Sequence, residues 1–382
     1  QVLDRILLRR TKLGRAEDIV LPPKVIILRK DFFDPFESDF YQSLYTQSQT
    51  QFNAYVQQGT ILNNYAHIFD LLIRLRQAVN HPYLVQYSEK NYLASQAAAA
   101  AGAAAGADSQ DSEQCGLCKD EAEDKVVSAC KHCFCRSCIE EYVASAPCSP
   151  VTCPTCEQVL SVDLSPKEAP PTPTAPPPAP SRSGKAPRIM QRFSRLDDFK
   201  SSTKIEALME ELELLVENDS SAKAIVFSQF VSMLDLIAYR LELLPPPHSS
   251  QLAGIRVVKL DGRMTFDARD RHIASFCEDA DTRVFLISLK AGGVALNLTV
   301  ASAVYIMDPW WNPAVEFQAM DRIHRLGQYK PIKVVRFVIE DTIEDRILRL
   351  QEKKRLVFES TVGRSSEALA KLTEADMKFL FS

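Results

Sequence analysis

Eight potential zinc ligands within 42 residues constrain this chain more than any other feature. They run Cys115-x2-Cys118, Cys130-x-His132-x2-Cys135-x2-Cys138 and Cys153-x2-Cys156. Two tetrahedral zinc sites need eight ligands, and a closed four-ligand site holds a structural ion with no open position for substrate. Structural zinc contributes about 10 to 16 kcal/mol, far more than a core of this size supplies. Nine of the ten cysteines lie between 115 and 156. A secreted disulfide scaffold would need a signal peptide, and the chain opens at Gln1 with neither a charged n-region nor an apolar h-region. Cys133 and Cys148 are left over, and Cys133 competes with Cys135 as a ligand. Cys135 is preferred because it restores two-residue gaps on both sides. Cys277, inside an apolar run, reads as a core residue.

The 382 residues allow two or three domains. Residues 1–92 read as helical, with Ile68, Leu71, Leu72, Leu75 and Val79 at three- and four-residue spacings until Pro82. The first segment looks like the middle of a helix, which leads us to expect further chain upstream. Residues 93–114 form an Ala-rich linker, 115–160 the zinc module, and 161–200 a Pro-rich linker. Within that second linker nine of 24 residues from Ser165 to Arg188 are proline, a semi-rigid spacer of roughly 70 Å if fully extended. Residues 201–360 alternate short apolar runs (Ala224 to Phe227, Val257 to Leu260, Val284 to Ile287, Val304 to Met307, Lys333 to Val338) with helical stretches near 204–217, 231–244, 267–277, 314–325 and 341–359. Such alternation implies a parallel sheet with helices on both faces and chemistry at the strand C-terminal ends. Residues 361–382 read as a tail. With 46% hydrophobic and 25% charged residues, and no stretch approaching 18 apolar residues, the expected protein is soluble, unsecreted and without a membrane partner.

The net charge of −4 conceals an uneven distribution. Residues 108–157 carry ten acidic and four basic side chains, a local −6, so the remainder sums to about +2. In the first thirty residues Arg5, Arg9, Arg10, Lys12, Arg15, Lys24, Arg29 and Lys30 oppose only Asp4, Glu17 and Asp18. Such a run suits a phosphate backbone or a solvated helix face.

The string from Gln318 to Gln328 places Gln318, Asp321, Arg322 and Arg325 at helical spacings, so their side chains would share one polar stripe. Two guanidiniums on one face suit a phosphoryl group, where an arginine finger contributes about 10³ to 10⁵ in rate. A salt-bridged surface helix has the same spacing. No Gly-x4-Gly-Lys-Ser/Thr loop is present, since Gly184-Lys185 continues with Ala186, and no Asp-Glu-x-His string follows a strand.

The cysteine order over residues 115–156 resembles the RING finger. That family pairs alternate ligands, which puts Cys115, Cys118, Cys135 and Cys138 on one zinc and Cys130, His132, Cys153 and Cys156 on the other. It also implies a ubiquitin-conjugating-enzyme face at Leu117, Tyr142 and Pro154. Glu157 departs from the basic residue that many active RINGs carry after the last ligand, which leaves open a docking module without ligase activity. Ala224-Ile-Val-Phe-Ser-Gln229, Ser288-Leu-Lys-Ala-Gly-Gly-Val-Ala-Leu-Asn297, Asp308-Pro-Trp-Trp-Asn-Pro313 and the Gln318 to Gln328 string together resemble the second RecA-like lobe of SWI/SNF (Snf2) helicase-like ATPases. Leu8-Arg-Arg-Thr-Lys12, Leu21-Pro-Pro-Lys24 and Asn80-His-Pro82 are similar to that family's inter-lobe segment, and Thr342 to Lys354 to its closing brace helix. The fold implied is a RecA-like helicase C-terminal lobe with an inserted RING, closest to the branch serving fungal global-genome nucleotide excision repair.

The resemblance implies a nuclear, DNA-stimulated ATPase and double-stranded DNA translocase with ubiquitin ligase function. Arg322 and Arg325 would reach ATP and Mg²⁺ held mainly by another lobe, with Gln318 and Asp321 orienting them. Ser228, Gln229, Lys290, Gly292 and Gly293 would lie at duplex DNA. Trp310 and Trp311 fit either a base stack or the core, and the core is preferred. Two zinc ions, a conjugating enzyme and a leucine-rich-repeat repair partner complete the implied set. Because the nucleotide cradle is absent from these residues, the purified 382-residue chain is expected to show no ATP turnover. A DNA-stimulated ATPase assay checks this, and robust turnover would refute it.

Overall fold

The computed structural model describes residues 21–87, 114–147, 150–164, 189, 199–243, 252, 254–291, 298–310, 313–360 and 371–382. Strand β1 (Lys24–Asp31) is followed by helices α1 (Pro35–Gln57), α2 (Tyr65–Asn80) and α3 (Pro82–Gln86). The cysteine module contributes β2 (Lys125–Val127), β3 (Cys133–Cys135) and α4 (Arg136–Ser145). The remaining elements are α5 (Thr203–Asn218), β4 (Ala224–Ser228), α6 (Val231–Glu242), β5 (Arg256–Leu260), α7 (Phe266–Glu278), β6 (Thr282–Ser288), β7 (Ala303–Ile306), α8 (Pro313–Asp321), β8 (Ile332–Ile339), α9 (Ile343–Ser360) and α10 (Glu374–Leu380).

Six strands form one parallel sheet in the order β1-β8-β7-β4-β6-β5. The central strands β4 and β7 are buried at every position, which is why they read in the sequence as unbroken apolar runs rather than alternating ones. Their alternate side chains enter two separate cores. Ala224, Val226, Leu286, Tyr305 and Phe337 pack on one face with residues of α2, α5 and α9. Ile225, Phe227, Phe285, Val304 and Val334 pack on the other with Phe276, Met320 and Ile323.

The five expected strands form with small boundary shifts, but residues 1–92 are not uniformly helical. Lys24–Asp31 is an edge strand paired in register with β8, from Lys24 opposite Ile332 to Asp31 opposite Ile339. Its β-branched Val-Ile-Ile run favours extended backbone, and the preceding Pro22-Pro23 keeps a helix from entering it. Arg29 pairs with Asp31, Glu210 and Glu211, and Lys30 with Glu340 and Asp345. These two members of the basic N-terminal run therefore meet carboxylates, not phosphate, and Arg5 to Arg15 lie outside the described residues. The expected tail also folds back: α10 has a capping box between Thr373 and Asp376, and Phe381 stacks on Phe52 with centroids 4.5 Å apart.

α2 carries the expected apolar stripe, with Ile68, Leu71, Leu72, Leu75 and Val79 all buried. Its polar members are buried too. Asn80 Oδ1 accepts from Lys204 Nζ at 2.9 Å, and that ammonium also donates to Met307 O at 2.7 Å and Glu344 Oε1 at 2.5 Å. Lys204 and Glu344 are 1% and 0% exposed, so all three ammonium donors are used inside the protein. Arg76 donates to Pro309 O at 2.8 Å and lies 5.1 Å from the Trp310 ring centroid. Trp310 is thereby a core residue, as preferred, while Trp311 lies outside the described residues. His81 is buried next in line, and burial pushes its pKa down to about 3. The neutral ring accepts from Tyr83 N at Nδ1 and donates from Nε2 to Lys200 O at 3.0 Å.

Removing one member of a fully buried ion pair leaves an uncompensated charge, at a cost of about 3 to 5 kcal/mol. Lys204→Met is expected to destabilise the chain by this amount in denaturant unfolding, and the Lys204→Met/Glu344→Leu double variant by less.

Candidate functional site

Two Cys-x2-Cys loops end in left-handed residues, Lys119 at φ 62° and Glu157 at φ 61°. Lys119 N donates to Cys115 O at 3.0 Å and Glu157 N to Cys153 O at 2.9 Å, curling each loop around its two sulfurs. The β2-β3 hairpin leads directly into α4, which begins after Cys135 and places Cys138 on its first turn. These local turns assemble two groups, Cys115, Cys118, Cys135 and Cys138, and Cys130, His132, Cys153 and Cys156, each with its ligand atoms within 4.8 Å of one another. The Cys118 and Cys135 sulfurs are 3.8 Å apart, matching the roughly 3.8 Å edge of a tetrahedron with 2.3 Å zinc–sulfur bonds. In the second group His132 Nδ1 lies 3.3 Å from Cys130 Sγ and 3.7 Å from Cys153 Sγ. A hydrogen bond from Ser128 and the neighbouring His132 bring the Cys130 thiol down to about 6, toward the thiolate that a metal requires. Both donor sets fit zinc. Cys133 stands outside them, and Cys148 lies outside the described residues.

This module sits on the C-terminal ends of the lobe's strands. Glu123 accepts from Gly262 N at 2.5 Å, just after β5, and from Ser288 Oγ at 2.8 Å, the last residue of β6. Asp120 accepts from Val231 N at 3.0 Å and from Ser232 Oγ, at the start of α6. Both carboxylates are buried, and burial pushes the Asp120 pKa up to about 6. Arg263 reaches Glu121 at 3.4 Å. Lys290 Nζ approaches the first tetrad, 3.1 Å from Cys118 Sγ and 3.8 Å from Cys135 Sγ. Against the cost of its own burial, the thiolate charge holds its pKa well above the ordinary value. On the far side, α2 supplies Gln77 to Cys118 O at 2.8 Å and Asp70 to Lys119 at 3.2 Å.

The description "Helicase conserved C-terminal domain" matches residues 203–327, and "Zinc finger, C3HC4 type (RING finger)" matches residues 115–156. "ATP-dependent helicase rhp16" of Schizosaccharomyces pombe is 47% identical over 388 residues, an alignment covering 100% of this chain and 41% of that protein. "DNA repair protein RAD5B" of Arabidopsis thaliana is 34% identical over 404 residues, covering 99% of this chain and 29% of that protein. Both alignments run through the lobe and the cysteine module together. The chain belongs to the Snf2 family of helicase-like proteins that carry a RING finger. It spans less than half the length of either relative. The crystal structure of the C-terminal part of the Fun30 ATPase domain shares the fold, with a TM-score of 0.55 at 20% identity over 95% of this chain and 99% of that one.

Within this Snf2-family chain several expected contact residues have other partners. Ser228 is fully buried and donates to Asp308 Oδ1 at 2.6 Å, while Gln229 N donates to Asp308 Oδ2 at 2.9 Å. The Ser228 hydroxyl thus ties β4 to Asp308, two residues beyond β7, and is not exposed. Lys290 is likewise engaged with the tetrad, and Gly292 and Gly293 lie outside the described residues. The Gln318 to Arg325 stripe also changes. α8 ends at Asp321, and Arg325 falls in a following turn that closes with Gln328 N on Arg325 O and Gly327 at φ +97°. Asp321 and Arg325 are exposed and Arg322 is half-buried. The side chain of Gln318 is outside the described ones.

The RING face is the larger departure. Leu117 and Tyr142 are both 0% exposed, and only Pro154 is partly open. Tyr142 packs against Tyr65 and Phe69 of α2, each at 5.3 Å between ring centroids, and Tyr65 OH lies 2.9 Å from Ser145 Oγ. Motif reading missed Asp120, Glu123, Asp308, Lys204 and Arg76. The first two had one signal, the acidic excess of the cysteine module. The geometry also separates the two candidate ligands. Cys135→Ser is expected to lower zinc content by about one ion per chain, whereas Cys133→Ser retains both, as read by metal analysis of the purified protein.

Proposed function

We propose that this chain is the second motor lobe and RING of a nuclear, DNA-stimulated ATPase that translocates on duplex DNA during repair, with nucleotide excision repair as the setting. The observation that carries the motor reading is the parallel sheet whose β7-α8 connection leads to Arg322 and Arg325. Arginines at that position would neutralise charge on a transferring phosphoryl group bound chiefly by a partner lobe, with Mg²⁺, and Asp321 and Gln318 would orient them. The relatives' names, an ATP-dependent helicase and a DNA repair protein, support the same class.

The RING is assigned a ubiquitin-conjugating enzyme as partner, through Leu117, Tyr142 and Pro154, and a part in ubiquitin ligation. A leucine-rich-repeat repair partner belongs to the same reading by family resemblance. A second reading, in which the RING is a zinc-built docking module, is favoured by the burial of Leu117 and Tyr142 and by the acidic Glu157. The two readings separate in a discharge assay with charged conjugating enzymes. Ligation requires discharge above the enzyme-free rate that depends on zinc and on Leu117.

The motor and ligase parts are expected to be separable. In the full-length protein, Arg322→Ala/Arg325→Ala should lower DNA-stimulated ATP turnover by about 10³-fold or more and leave ubiquitin discharge intact. Equal loss of both activities would overturn the division of labour.

A further inference from the structure

The docked RING places two carboxylates where the lobe offers anion-binding groups. Gly262 N and Ser288 Oγ donate to Glu123, Val231 N and Ser232 Oγ donate to Asp120, and the Lys290 ammonium lies alongside on the tetrad thiolates. Backbone amides at strand ends and at a helix start, two hydroxyls and an ammonium together make a set of donors suited to phosphate oxygens. Here every one of them is satisfied from within the chain. The fit is close, since a Cβ added at Gly262 would lie 2.5 Å from Glu123 Cβ. The same docking seats Tyr142 against Tyr65 and Phe69, and Leu117 is fully buried in this arrangement.

We infer that Asp120 and Glu123 act as an internal stand-in for DNA phosphates, so that the RING plugs the strand-end surface of the lobe and duplex DNA displaces it. The inference rests on the reading above that the chain works on duplex DNA, with Lys290 at the DNA, and that Leu117 and Tyr142 meet a conjugating enzyme. Both phosphate oxygens and the two carboxylates require the same donors, so docking and DNA binding exclude one another there. Displacement by DNA uncovers the aliphatic and aromatic residues of the RING. Ligation thereby becomes coupled to DNA occupancy through competition, with no additional element. If the plugged form holds about nine-tenths of the molecules, apparent DNA affinity is lowered about tenfold.

The test uses the full-length protein, a short blunt DNA duplex as probe and a panel of charged conjugating enzymes. In the unmutated protein, duplex addition is expected to raise ubiquitin discharge, and hydrogen exchange to rise across Tyr65–Asn80 and Arg136–Ser145. Asp120→Asn/Glu123→Gln, with zinc content verified, should bind duplex about tenfold more tightly and discharge ubiquitin at the DNA-stimulated rate without DNA. Gly262→Ala, which wedges Glu123 away sterically, should also discharge without DNA. Equal duplex affinity for the unmutated protein and the double variant, or exchange in both helices unaffected by duplex, overturns the plug. Absence of duplex binding by either protein removes the DNA reading and the plug together. A gain in duplex affinity in the double variant with no discharge under any condition supports the plug and instead removes the ligase reading.

Discussion

The buried ammonium of Lys204 holds the chain's separate segments in one body. It lies at the start of α5, and its three acceptors come from α2, the end of β7 and the start of α9. A charge in such surroundings is tolerated only when every donor is met, so the positions of Asn80, Met307 and Glu344 are mutually determined. Asp308, one residue beyond Met307, extends the same logic by accepting from Ser228 Oγ and Gln229 N. The helical segment before the RING, the sheet and the closing helix are therefore registered to one another by polar groups, while apolar burial supplies most of the favourable energy.

The RING joins that body through electrostatics of a different kind. A zinc ion with four thiolates carries net negative charge, and the lobe meets this tetrad with Lys290. Its flanking carboxylates find backbone amides and hydroxyls at the strand ends, where a parallel sheet leaves donors without intrasheet partners. The face turned toward α2 is aromatic, with Tyr142 set between Tyr65 and Phe69. One small module thus presents a polar side to the motor loops and an apolar side to a helix. Tyr142 on the apolar side, and Lys290 of the lobe against the polar side, are residues that the family reading assigns to other partners, so under the plug inferred above docking and function compete for them.

Legibility followed the range of the interactions. The metal ligands were readable because Cys-x2-Cys spacing and the turns at Lys119 and Glu157 are local, and the preference for Cys135 over Cys133 matches the assembled groups. The central strands were readable because burial on both faces writes itself as an unbroken apolar run. β1 escaped because four of its apolar residues, Val25 to Leu28, remain 39% to 56% exposed, and its identity comes from pairing with a strand about 300 residues later. Arg325 left the expected helical stripe because α8 stops at Asp321 and the chain turns through Gly327.

By itself the sequence determined the zinc chemistry, the alternating strand-helix order and the family, since each is encoded in short strings whose residue types and spacing suffice. Only the tertiary structure decided which of those residues are exposed to act. Ser228 and Lys290 sit in a motif suited to phosphate, yet they bond to Asp308 and face the tetrad. Leu117 and Tyr142 match a binding face, yet both are covered. The physical reason is that a side chain's availability depends on desolvation and on partners brought from distant segments, and no local pattern records which donor an acceptor hundreds of residues away will satisfy.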